Sequence, residues 1–150
     1  MLTSTIRKIV EQASMSIFSG SLDTNVLLRL LLSDIPDQHT AVEALFRKTP
    51  GQFAVADTAI IEIAFVLERH YTFSRLAIFE AIEGLMSLPE INCNRALFEK
   101  ALILFTKNPS LSFEDCCLAT YAELSGAKPL WTFDRKLASQ APSAKIVAVN

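Results

Sequence analysis

The sequence has few cysteines, and none is arranged for metal or redox chemistry. Cys93, Cys116 and Cys117 make an odd count of 3, and an adjacent pair is not the C-x-x-C of a zinc or redox site. In apolar surroundings a reduced cysteine behaves as a small hydrophobe, which points to a reducing, cytoplasmic setting. No stretch is long and apolar enough to span a membrane, and residues 1–14 lack the apolar core of a secretory signal. Positive charge is not in excess either. A formal net charge of -2 neither advertises a nucleic-acid partner nor excludes one, because a local patch can differ from the total. An RNA partner would have to be met by bound metal and a few placed Arg or Lys side chains. No internal repeat, low-complexity tract or linker divides the chain.

What is present is the material of one ordinary domain. The chain has 150 residues, 51% hydrophobic and 20% charged, enough to bury a core without staples. Residues 1–14 read as an amphipathic helical extension, with Ile6, Ile9, Val10 and Ala13 on one stripe. Met15 could be an original start, and the extension is given no function. Residues 15–150 then form a single domain.

Within it, short strands alternate with helices. Strands are expected over 17–22, 53–56, 91–93, 130–133 and 146–149. The run 26–32 starts a helix, and Pro36 opens another with Val42, Leu45 and Phe46 facing inward. A long helix spans about 58–70. The next follows Ser74, its apolar face marked by Leu76, Phe79, Ile82, Leu85 and Met86, and Pro89 stops it. Asn94 caps a helix carrying Leu97, Ala101, Leu104 and Phe105, and Ser112 caps one that Gly126 ends. Core packing is the plainer account of the Leu76–Met86 stripe, with a partner or dimer interface as the alternative. Trp131, within a strand, is expected in the core rather than as an RNA-stacking surface. Strands joined through helices imply parallel pairing, hence an α/β class with a central parallel sheet in a three-layer α/β/α arrangement.

Parallel sheets form their sites at the carboxyl ends of the strands. Asp23 directly follows the first strand and Asp134 a later one. Glu62 and Asp115 lie early in helices leaving the same edge. Glu62 has apolar neighbours nearly all round, so it is expected to be partly buried, which is costly without compensation. Clustered carboxylates repel unless a divalent cation holds them ionised. An all-oxygen site with open positions suits Mg²⁺ or Mn²⁺. Such an ion activates water and stabilises charge on a transferring phosphate. Each acid also has a structural reading. Asp23 and Asp134 each precede a helix and could be N-caps, and Ser112-Phe113-Glu114-Asp115 fits a capping box. Glu62 could be paired to an arginine. Capping does not explain Glu62, and four accidents at one edge are a poorer account than one site.

The segments Leu22-Asp23-Thr24-Asn25-Val26-Leu27, Ile61-Glu62-Ile63-Ala64-Phe65-Val66-Leu67, Ser112-Phe113-Glu114-Asp115-Cys116-Cys117-Leu118-Ala119 and Thr132-Phe133-Asp134-Arg135-Lys136-Leu137 together resemble the PIN-domain nucleases. Within that family they are similar to the VapC-type toxins of bacterial toxin–antitoxin pairs. The resemblance implies a parallel sheet between helices, with Asp23, Glu62, Asp115 and Asp134 as a quartet holding one or two Mg²⁺ or Mn²⁺ ions. It also implies that Asn25 and Thr132 support the first and fourth acids, and that RNA is cleaved endonucleolytically by a homodimer silenced by a cognate antitoxin. The extension before Met15 and the Cys116-Cys117 pair depart from the pattern without removing a ligand.

Arg29, Arg135 and Lys136 are candidates for RNA contact, each with a solvated surface charge as its alternative. His39 and His70 read as surface or helix-end residues. Two rival functions stand beside the nuclease. A phosphoacceptor receiver domain would want an adjacent acidic pair after the first strand, and Leu22-Asp23-Thr24 supplies one acid. A non-catalytic PIN-like protein-binding module would keep the fold without chemistry.

Overall fold

A computed structural model describes residues 3–13 and 18–150. Its elements, in chain order, are α1 (Ser4–Ala13), β1 (Phe18–Ser21), α2 (Thr24–Leu31), α3 (Pro36–Lys48), β2 (Gln52–Ala54), α4 (Asp57–Arg69) and α5 (Arg75–Ser87). They continue with β3 (Ile91–Asn92), α6 (Arg95–Lys107), α7 (Phe113–Leu124), β4 (Leu130–Thr132), α8 (Arg135–Gln140) and β5 (Ala144–Ile146). Met15 and the start of the expected first strand, Ile17, lie outside the described residues.

All strand pairings are parallel, as the alternation of strands and helices requires. They form a three-stranded sheet in the order β1-β2-β3 and a two-stranded sheet, β4-β5. Phe53 is in register with Gly20 on one side and Ile91 on the other. Leu22 N–H donates to Ala54 O at 3.0 Å and Val55 N–H to Asn92 O at 2.8 Å, which carries the pairing past the strand ends. The loops leaving that edge are therefore fixed at their roots. Gly51, at φ +113°, turns the chain into β2, and a Cβ there would meet Ser19 Oγ at 2.8 Å. Only glycine fits such a backbone without strain.

The helix boundaries follow local chemistry. Ser74, Asn94 and Ser112 each accept from the backbone N–H three residues on, capping α5, α6 and α7. At the far end of α7, Gly126 (φ +69°) N–H donates to Glu123 O and Ala127 N–H to Ala122 O, a Schellman closure. Arg75 ties the ends of two helices together: its guanidinium donates to Phe105 O (2.9 Å) and Leu111 O (2.6 Å) and lies 4.0 Å from the centre of the Phe105 ring.

The core gathers Ile60, Ile63 and Leu67 of α4, Ile78, Ile82 and Leu85 of α5, Phe98, Leu102 and Phe105 of α6, and Cys116 of α7. Several expectations need correcting against it. Leu45 and Leu76 are exposed. A stripe at helical spacing is wider than the neighbouring element that covers it, and both lie at its margin. The last strand is Ala144–Ile146 rather than 146–149, because β4 pairs Leu130 with Ala144 and Thr132 with Ile146. Trp131 is not in the core. It is 61% exposed, since β4 alternates and the half-buried Leu130 and Thr132 take the inward positions.

Candidate active site

Asp23 directly follows Leu22 at the carboxyl end of β1. Its Oδ1 accepts from Val26 N–H at 2.9 Å, so it does cap α2. The next residue, Thr24, is buried, and its hydroxyl donates to Glu62 Oε2 at 2.9 Å. One hydrogen bond thus joins the edge of β1 to α4. Glu62 itself is exposed, contrary to the expectation of burial. The buried side of α4 is Ala59, Ile60, Ile63, Ala64 and Leu67; Glu62 lies on the opposite side with Phe65, which is itself 56% exposed. The local sequence is apolar nearly all round, but the packing is not.

Asp115 lies in the first turn of α7 and is half-buried. Its N–H donates to Ser112 Oγ at 3.1 Å. A complete capping box would also have the Asp115 carboxylate accept from the Ser112 N–H. That return bond is not made, and among the described residues the carboxylate has no hydrogen-bond or ion-pair partner. Asp134 caps α8, its Oδ1 accepting from Lys136 N–H (2.9 Å) and Leu137 N–H (3.1 Å). Its own N–H donates to Thr132 Oγ at 2.9 Å, so Thr132 fixes the turn that presents the acid. Asn25 is exposed, and its side chain makes no hydrogen bond among the described residues.

Glu62 and the start of α7 share an open cleft of about 600 Å³, lined also by Ile61, Phe65, Arg69, Arg75, Ser112 and Glu114. No such link reaches Asp134 among the described residues. Nor do three acidic, histidine or cysteine side chains converge closely enough there to cage a metal ion. The donor set nonetheless has the right chemistry. Oδ2 of Asp23 and Asp134, Oε1 of Glu62 and both oxygens of Asp115 are left unused by the bonds described. Hard oxygen donors of this kind are what Mg²⁺ or Mn²⁺ takes.

An acid missed in the sequence is Asp57, in the first turn of α4 past the carboxyl end of β2. Asn94 Nδ2 donates to its Oδ2 at 3.4 Å. Its position directly after a strand was a readable signal of the kind that singled out Asp23. Burial pushes the Cys117 thiol up to about 12, with Cys116, Asp57 and Glu114 adding to it, so Asp57 belongs to the charge environment of α7. Cys116 is likewise pushed up to about 12 by burial, against the pull of Arg75. Neither thiol is a nucleophile at neutral pH.

Arg29 is withdrawn as an RNA contact. It is 8% exposed, donating to Asp34 Oδ1 at 2.7 Å and the Tyr71 hydroxyl at 3.2 Å. Its place in the last turn of α2 says nothing of the acid that follows the helix. Arg135 and Lys136 are exposed.

The PIN domain family model matches residues 21–141, and the chain belongs to that family. It is similar to a VapC ribonuclease of Aquifex aeolicus (strain VF5), 29% identical over 119 residues, covering 77% of this chain and 87% of the relative. Among the described residues, no helix is long and apolar enough to cross a membrane.

Proposed function

We propose that this protein is a metal-dependent endoribonuclease and the toxin of a toxin–antitoxin pair, with Asp23, Glu62, Asp115 and Asp134 as its acidic residues. The observation that supports the reading most is the Thr24–Glu62 hydrogen bond, which ties Glu62 on α4 to the residue that follows Asp23, 38 residues away in sequence. Membership of the PIN family and the likeness to a VapC ribonuclease support it.

In this reading Asp23, Glu62, Asp115 and Asp134 hold Mg²⁺ or Mn²⁺, and Thr24 and Thr132 hold the acids. A bound divalent ion supplies activated water and stabilises the charge growing on a transferring phosphate. The two helix caps fix Asp23 and Asp134 through Oδ1, leaving Oδ2 of each for a ligand. Arg135 and Lys136 meet the RNA backbone. A cognate antitoxin and a second copy of the chain are the implied partners, and the unpaired thiols fit the cytoplasm. The separation of the acids favours one alternative, a PIN-like binding module without catalysis.

Cleavage of mixed RNA in Mn²⁺ and in EDTA separates the two. The wild type should cleave only with metal, and Asp23→Asn and Glu62→Gln should each lose activity at least about a hundredfold, the scale of losing a preorganised charge. Glutamine keeps an oxygen for Thr24, so that variant should fold normally. Cleavage unaffected by either change, or an absence of both cleavage and Mn²⁺ binding by calorimetry, would move the protein to the binding-module reading.

A further inference from the structure

Among the described residues, nothing covers one face of the β4-β5 sheet, although parallel sheets are ordinarily buried on both sides. Trp131 is 61% exposed on it, and its register partner on β5, Lys145, is exposed as well. In-register neighbours of a parallel pair share a face, so the indole and the ammonium stand side by side. Phe133 follows, 70% exposed, and Arg135 and Lys136 open α8 directly beyond it. Residues 127–150 carry 4 basic side chains against 1 acid, in a chain whose formal net charge is -2. Among the described residues none of those cations is in an ion pair.

Exposed rings bordered by unpaired cations match one ligand chemistry well. Unpaired bases stack on aromatic faces while cations follow the phosphates. Duplex RNA keeps its bases stacked inside and cannot use the rings. A second copy docking face to face would set like charges against each other. Asp134 lies between Phe133 and Arg135, so a strand stacked here would run past one of the candidate acids.

We propose that the Trp131–Lys145 face, with Phe133 and Arg135, is a stacking platform for single-stranded RNA. The inference rests on the ribonuclease reading above and says which part of the surface takes the substrate strand. Trp131 is the only tryptophan in the chain, so its emission reports on this face alone.

Wild-type protein in EDTA would be titrated with fluorescein-labelled oligo(U) and oligo(A), following indole emission and RNA anisotropy together. Indole emission should quench as the anisotropy rises, with duplex RNA of equal length quenching little. Trp131→Ala should weaken binding about tenfold or more, the scale of losing one stacked base, and Trp131→Phe should recover most of it. If the anisotropy rises equally for wild type and Trp131→Ala, and the wild type's indole emission is unchanged, the platform is wrong. Metal-dependent cleavage that persists in that case leaves the ribonuclease reading standing. An emission change with protein concentration alone, together with a dimer in sedimentation, would give the face to a second copy and overturn the proposal. RNA neither bound nor cleaved in Mn²⁺ would sink both readings.

Discussion

Phe53 and Trp131 occupy comparable places, each an aromatic near the middle of a parallel pair, yet their surroundings are opposite. Phe53 is buried, with Phe46 stacked on it at 5.2 Å and strands on both sides. Trp131 has one strand neighbour and an open face. The three-stranded sheet is packed by α5 and by Phe46 of α3, and its carboxyl edge is pinned by the hydrogen bonds of Leu22 and Val55, which is what holding Asp23 in place requires. The two-stranded sheet anchors itself through Ala144 and, next to β5, through the Ser143 hydroxyl on Ala119 O at 2.9 Å, and shows its other side to solvent. One sheet positions groups; the other offers area.

The largest test of that contrast is stability. Ile63→Ala, in the fully buried side of α4, should cost about 2–5 kcal/mol. Trp131→Ala should stay within about 0.5 kcal/mol, as an exposed position should. Comparable losses in chemical denaturation would mean that the β4-β5 face is covered after all. Next in size is Arg75→Met, which removes the bonds to Phe105 O and Leu111 O. A loss of about 2 kcal/mol is expected, the scale for hydrogen bonds to a charged group. A loss near zero would show that the α6–α7 connection holds without its clamp.

A smaller effect should follow Thr24→Val, which keeps the shape but removes the donor to Glu62. About 1 kcal/mol should go in the melting transition, together with a fall in cleavage. Unchanged cleavage would show that Glu62 needs no such holding. The smallest effect concerns acid. The Tyr71 hydroxyl, then Arg29, hold the Asp34 carboxyl below its ordinary value of 3.8. A depressed carboxylate stabilises the fold above the unfolded value, and that stabilisation drains as pH falls through the lowered folded value. Asp34→Asn should therefore flatten the acid limb of the stability–pH curve below about pH 4, measured by denaturation at stepped pH. An unaltered limb would place the acid sensitivity elsewhere.

These contrasts also mark what could be read from the residues in order. Caps and strand ends were legible because they are local: Ser74, Asn94, Ser112 and Gly126 act within a few positions of themselves. The candidate acids were legible for the same reason, each falling at or just beyond a strand end or helix start. Exposure was not. Glu62 has apolar neighbours in sequence, but which side of α4 is covered depends on α2 and α5. Arg29 looked like a free cation because Tyr71, 42 residues away, is its partner. Trp131 and Leu76 failed alike, since periodicity defines a stripe and not what lies over it. The end of the chain misled for another reason. The apolar run continues through Val147 and Val149, whereas the strand pairing stops at Ile146.

The unreturned bond at Ser112 has one more consequence. A glutamate at position 115 is the usual partner in a capping box, and its extra methylene suits the reach back to the Ser112 N–H. With aspartate there, α7 begins less firmly than its own sequence signature permits, and a half-buried carboxylate stays without a hydrogen-bond partner among the described residues. Proteins commonly leave such increments of stability unused where activity would suffer from taking them. The first turn of α7 is thus a place where thermostabilising by design and keeping the chemistry pull in opposite directions.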